Sequence, residues 1–189
     1  MKKLLITIAL LLPSTVWAEG TGISVGIDYA ISHNTFKLEG DNINTETDDN
    51  SSSVGLNLGI LQGQEGKWFF SYQHESFDEP TYDATSDTLN YFSLGYQRNF
   101  MMSNRLSPYI KGSLGYGKID VSGYDQSSAT ITGFRIGGGI SYSMQPNLFL
   151  LAGIDYQYRS WDSLYLGHGN VVEISETSFI GNIGIEYHF

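Results

Sequence analysis

The chain has 189 residues, with 22 Gly, 13 Tyr, no Cys, 16% charged residues and a formal charge of −10. The lack of cysteine excludes a disulfide framework, a thiolate metal site, a cysteine nucleophile and a lipidated cysteine anchor. The acidic balance excludes a surface built for nucleic acid, whose phosphates demand basic side chains; what remains is one glycine- and tyrosine-rich domain of β-structure.

Lys2 and Lys3 precede the apolar run Leu4–Leu12 and Pro13, and Val16-Trp17-Ala18 has the small-residue spacing of a cleavage site. Residues 1–18 are therefore predicted as a signal peptide cut before Glu19, leaving 19–189 as the mature domain. The run is too short for a membrane helix, which needs roughly 20 apolar residues. The longest later run, Leu148–Ile154, is shorter still.

Alternation then takes over. Ile23, Val25, Ile27, Tyr29 and Ile31 share one parity and Ser24, Gly26, Asp28 and Ala30 the other, which predicts a two-faced strand. The second strand carries Val54, Leu56, Leu58 and Ile60, the third Trp68, Phe70 and Tyr72, and the fourth Phe92, Leu94 and Tyr96. Ile110, Leu114 and Tyr116 mark the fifth, Ile136, Ile140 and Tyr142 the sixth, and Leu150, Ile154, Tyr156 and Tyr158 the seventh. The eighth runs through Phe179, Ile183, Ile185 and Tyr187 to Phe189. Gly26-Ile27-Asp28-Tyr29 recurs in kind at Gly139–Tyr142, Gly153–Tyr156 and Gly184–Tyr187, as expected of a repeated hairpin environment.

Connections alternate as well. Short turns are expected at Gln62–Gly66, Met101–Ser107 and Met144–Asn147, and longer polar loops at Glu39–Ser52, Asp78–Ser86, Asp120–Ser128 and Ser160–Glu173. Such alternation fits an antiparallel meander with one plain and one elaborated end. The apolar parity holds large residues and the other mostly Gly, Ser, Asn and Gln. Small residues suit a narrow interior and large apolar ones suit lipid, and a closed ring leaves no unpaired edge in hydrocarbon. The predicted fold is an all-β, eight-stranded antiparallel up-and-down transmembrane β-barrel.

These features, with Ile183, Ile185, Tyr187 and Phe189 closing the chain, resemble the small outer-membrane β-barrel proteins of Gram-negative bacteria, the kind that includes the OmpX and Ail group and the OmpA barrel domain. The resemblance covers Glu19 to Phe189. It implies an outer-membrane location, both termini in the periplasm and four long loops outside the cell. It also implies that Ile185, Tyr187 and Phe189 form the terminal signal read by the barrel assembly machinery. Surface roles of adhesion, resistance to host or antimicrobial factors, or envelope integrity come with it, on a host or environmental ligand that the sequence does not select.

By parity, Asp28, Glu75, Lys111, Arg135, Asp155, Arg159 and Glu186 face the lumen as an ion-paired plug. Strand direction suggests Lys111 with Glu186 near the periplasmic end and Glu75 with Arg135 and Arg159 nearer the outside. Removing Arg135 or Arg159 is expected to cost roughly 3–5 kcal/mol if a partner stays buried. A small diffusion pore is the competing reading of the same lumen, against which stands the little open width that eight strands leave. Lys37 and Lys118 fall on the lipid-facing parity near the outer rim, where lipopolysaccharide phosphates lie; snorkelling explains them equally. The acids from Glu39 to Asp49 match no calcium loop and are read as a solvated face, so no metal ligand and no cofactor is assigned.

One enzymatic alternative exists. His74 and Ser76 are two apart and share the outward face, similar to the His-x-Ser arrangement of outer-membrane lipid A deacylases, with Glu79 as the orienting carboxylate. The sequence after Ser76, Phe77-Asp78-Glu79-Pro80, departs from that family's Asn-Ala-Gly. The leading expectation is a non-enzymatic monomer in contact with outer-membrane lipid and lipopolysaccharide.

Overall fold

The computed structural model describes residues 21–40, 43–63, 65–78, 87–100, 102–103, 105–120, 128–165 and 171–189. The predicted signal peptide and its cleavage site lie outside them. The chain forms β1 (Thr21–Gly40), β2 (Ile43–Gln62), β3 (Gly66–Phe77), β4 (Thr88–Asn99), β5 (Leu106–Asp120), β6 (Ser128–Gln145), β7 (Leu148–Trp161), a two-residue β8 (Leu164–Tyr165) and β9 (Val171–His188). Each long strand pairs antiparallel with the next, and β1 pairs with β9 from Ser24–His188 to Gly40–Val172. Eight long strands thus close a ring, with β8 a short appendage on β9.

Thr21, Phe189 and the short turns lie at one end of the barrel, called the lower end here. Gly63 takes a positive φ of 61° in the turn after β2, a region that glycine enters without strain. The register of β6 on β7 shifts between Ser143 and Gln145, just before the turn at Pro146 and Asn147.

The upper end departs from expectation in two places. The predicted loop Glu39–Ser52 is mostly strand, because β1 and β2 remain paired up to Gly40–Ile43. The last long strand starts at Val171, not Phe179, and β8 falls inside the predicted loop Ser160–Glu173. The cause is a change of solvent partway up the wall. On β1, the outward residues Ile23, Val25, Ile27, Tyr29 and Ile31 are exposed and apolar, while His33, Thr35, Lys37 and Glu39 continue the same face with polar groups. The inward face switches the opposite way a few residues higher, from Ser24, Gly26, Asp28, Ser32 and Asn34 to Phe36 and Leu38.

From Ile23 to Ile31 is about 26 Å along the strand at roughly 3.3 Å per residue. At a tilt of roughly 40° that is about 20 Å of height, close to the roughly 25 Å apolar band of a membrane barrel. Above the band the outside meets water, so the large apolar residues turn inward. Phe36, Phe77, Leu89, Tyr91, Ile119, Ala129, Ile131, Trp161, Val172 and Ile174 form one buried cluster inside the upper barrel. Phe36 packs edge-on to Phe77 and Trp161, with ring centroids 5.9 and 6.0 Å apart. No bulge marks the switch on β1, where pairing with β2 runs unbroken through it.

Candidate functional site

The lumen is filled in layers, each set by inward positions of facing strands. In the lowest layer the buried Lys67 ammonium on β3 meets Glu186 on β9. The other oxygen of Glu186 lies 2.6 Å from His188 Nε2, and the His188 ring stacks on Phe149 at 4.2 Å. Above it, Lys111 Nζ lies 2.9 Å from Asp155 Oδ2, which also accepts a hydrogen bond of 3.0 Å from Asn182 Nδ2. Asp28 accepts from Asn57 across the β1–β2 pair. The Arg135 guanidinium donates to the side-chain oxygens of Gln157 and Gln73, the latter at 2.6 Å.

The next layer is the driest. Arg159, fully buried, donates to Glu75 Oε2 at 2.5 Å and to Glu176 Oε1 at 3.0 Å. Ser51 Oγ donates to the second oxygen of Glu75 at 2.6 Å. Ser178 Oγ at 2.9 Å and Trp161 Nε1 at 3.3 Å both donate to Glu176. The Arg159 guanidinium also lies over the Tyr91 ring, 4.8 Å from its centroid. Buried charges persist when paired and hydrogen-bonded, and Arg suits such sites because its planar fork reaches two carboxylates at once. Trp161 ties this layer to the apolar cap above it.

Glycine makes room for these groups. A Cβ on Gly137 would stand 2.0 Å from Asp155 Oδ1, and one on Gly55 2.4 Å from Asp28 Oδ1, so both positions are closed to larger residues while the acids stay in place. A cavity of about 70 Å³ remains among Asp28, Lys67, Lys111 and Arg135 in the lower half, room for a few waters. It lies above an open mouth of about 770 Å³ that Gln97, Asn99, Ser141 and His188 help to line. Upward, the Arg159 layer and the apolar cap close the lumen.

All seven predicted lumenal charges face inward; Glu75 with Arg159 is an expected pairing, and the other partners differ. Lys111 meets Asp155 instead of Glu186, and Glu75 binds Arg159 while Arg135 is held by glutamines. Lys67 and Glu176 were missed. Lys67 adjoins a turn, and Glu176 falls between the predicted loop Ser160–Glu173 and the predicted strand from Phe179, where the outward neighbours Ser175 and Thr177 are polar and hide the alternation. Their parity with Phe69 and with Ser178 could have exposed both.

His74 and Ser76 do share the outward face of β3, just above its apolar band. Nδ1 of His74 lies 3.0 Å from Asn90 Oδ1, an oxygen that also accepts from Tyr72 OH at 2.7 Å, so the ring is engaged by its cross-strand neighbour. Glu79 lies outside the described residues. Lys37 and Lys118 are exposed on the upper wall. Lys37 pairs with Glu39, whose hydrogen bond and negative charge hold the lysine above its ordinary pKa. Phe189 N donates to Ile23 O at 2.8 Å, and its exposed ring packs edge-on to Tyr187 at 4.8 Å. Among the described residues no group of three or more His, Asp or Glu is placed to hold a metal ion.

A family model described as outer membrane protein beta-barrel domain matches residues 9–189. Among solved structures, Neisserial surface protein A is similar over 90% of this chain and 100% of its own, at 21% identity and a TM-score of 0.61. The N-terminal β-barrel domain of Pseudomonas aeruginosa OprF is similar over 88% and 97%, at 18% identity and 0.52. Ail, the attachment invasion locus protein of Yersinia pestis, solved in complex with the heparin analogue sucrose octasulfate, is similar over 90% and 99%, at 20% identity and 0.50. At these identities the likeness is one of fold. No curated protein sequence matches the chain.

Proposed function

The chain belongs to the outer membrane protein β-barrel domain family, and from that premise we propose that it is a closed, non-enzymatic outer-membrane barrel whose working surface is its rigid extracellular rim. The observation that carries this reading is the change of polarity up the wall. A barrel needed only as an anchor has no use for a second core above the membrane band, whereas a platform for binding does, because a packed interior holds the rim in one shape. The same core and the Arg159 layer close the lumen, which speaks against a diffusion pore.

A prominent part of the rim among the described residues is the β1–β2 hairpin, where Glu39, Glu46 and Asp48 are exposed. Ail is solved with a polyanion; on this chain, with a net charge of −10, a polyanion would be repelled from that hairpin. The ligand read from the charge is therefore cationic, or an anionic lipopolysaccharide reached through divalent cations, with Lys37 on the same hairpin and Lys118 on β5 as direct phosphate contacts. Delivery to the membrane by a signal peptide over residues 1–18, and insertion by the assembly machinery acting on Ile185, Tyr187 and Phe189, belong to the same proposal.

The test compares bacteria displaying the wild type with bacteria displaying Glu39→Gln/Glu46→Gln/Asp48→Asn, measuring adhesion to surfaces coated with polylysine or heparin. The expected result is adhesion to polylysine that falls several-fold in the neutralised variant. Equal adhesion by both, with equal surface levels, would overturn the assignment of the rim. Steady single-channel openings in planar bilayers would overturn the closed lumen.

A further inference from the structure

Outward glycines stand out on a wall otherwise built from large side chains. At Gly112 an added Cβ would meet only Arg135 O, and at Gly181 only Ile31 Cγ1, each at 3.9 Å, an ordinary contact. Other glycines crowd their neighbours far more closely, inward Gly137 at 2.0 Å from Asp155 Oδ1 and outward Gly138 at 2.9 Å from Tyr109 O among them. Packing within the barrel therefore does not require glycine at Gly112 or Gly181; what glycine does there is leave the outer wall hollow.

The hollow has a size and a direction. It is a groove of about 840 Å³, within the roughly 300–1,000 Å³ range of small-molecule sites, floored by Gly112 and flanked by Ile110, Ile136, Ile154 and Phe179. Ile154, set across the strands between Gly138 and Gly181, is 71% exposed and forms one bank. The groove starts at Arg98, next to the last residue of β4 at the lower end. Arg98 stands one residue from the lower end of β4, Ile110 four from that of β5, Ile154 six from that of β7 and Phe179 nine from that of β9, so the lining lies progressively farther inside its strands. It thus climbs from the lower rim into the apolar band. At the rim Arg98 has only a loose ion pair of 3.5 Å with Glu65, both side chains being more than half exposed.

We propose that this groove binds one phospholipid of the periplasmic leaflet, with an acyl chain lying over Gly112 and the phosphate on Arg98. The charge argument selects this occupant over a second copy of the chain. A loosely paired, exposed guanidinium at the membrane surface, at the foot of an apolar channel running toward the bilayer centre, matches the anatomy of a phospholipid, whose anionic group and chain are joined in that order. A second copy would bring its own Arg98 to the same rim.

The experiment is native mass spectrometry of the protein released from nanodiscs of palmitoyl-oleoyl-phosphatidylglycerol. The wild type is expected to retain one lipid. Gly112→Val, which fills the floor with a strand-compatible side chain, is expected to lower retention at least fivefold, and Arg98→Gln to lower it less. Leu58→Ala, a change to the outward face of the far wall, is expected to leave it unaltered. Equal retention by wild type and Gly112→Val, or none by wild type, overturns the proposal. A dimer lost in Gly112→Val would assign the groove to a second copy and overturn it as well. Failure of Gly112→Val to show folded, heat-modifiable migration would overturn the premise that this glycine is free to change.

Discussion

Replacing Arg159 by Met leaves Glu75 and Glu176, both almost fully buried, without the cation they share. Two unit charges about 4 Å apart attract by roughly 4 kcal/mol at an effective dielectric of 20, so the two Arg159 contacts are together a large gross term. Desolvation of three charged groups offsets most of it, and the intact trio contributes little net stability. Breaking it is different: two carboxylates keep the desolvation cost and lose the attraction. The expected destabilisation is about 3–5 kcal/mol. The triple variant Arg159→Met/Glu75→Gln/Glu176→Gln removes every charge and retains oxygen acceptors for Ser51, Ser178 and Trp161. It is expected to recover most of that loss, to within about 1–2 kcal/mol of the wild type. Urea unfolding in lipid vesicles, followed by tryptophan fluorescence, reads both, since Trp161 donates directly to Glu176. Wild-type stability in Arg159→Met, or a triple variant as unstable as the single one, would refute the argument from charge compensation.

Lys67→Met is expected to cost less than Arg159→Met, about 2–3 kcal/mol, because His188 still lies 2.6 Å from Glu186; the same urea titration measures it. Gly137→Val forces a side chain against Asp155 and the Ile154 carbonyl and is expected to cost at least about 1–3 kcal/mol, read as a lower unfolding midpoint. Phe189→Ala is expected to reduce the fraction of chain reaching the folded, heat-modifiable form in cells while leaving purified, refolded protein nearly as stable. The lipid A of cells expressing the wild type or His74→Ala is expected to be identical by mass spectrometry; loss of an acyl chain dependent on His74 would reverse the non-enzymatic reading.

The lower half of the barrel is plain in the sequence because one solvent acts on each face. Ile23 to Ile31 on β1 and Ile183 to Phe189 at the end of the chain alternate against small or polar residues, and that pattern alone sets both the strand and its facing. The upper half is harder to read, since the apolar parity passes from one face to the other at a level that no local residue announces. Thr45 to Asn50 look like a loop when judged by hydropathy, yet they continue a strand already paired below. Phe36, Ile119 and Ile174 fall on the parity assigned to polar residues and were left out of the expected interior for that reason. Lys111 and Arg135 were given the wrong partners on a simpler ground. Parity shows which way Lys111 points, but neighbours across a lumen depend on stagger between non-adjacent strands, which sequence spacing does not contain.

The seam between β1 and β9 also dictates when this protein can exist. Its first strand must wait for its last, because β1 finds its second neighbour only in the residues that end at Phe189. Until β9 has been made and has reached β1, every partial ring has two raw edges, and none can be left in a membrane without offering them to another chain. A message truncated before β9 therefore encodes no smaller working barrel; it encodes a substrate for proteolysis.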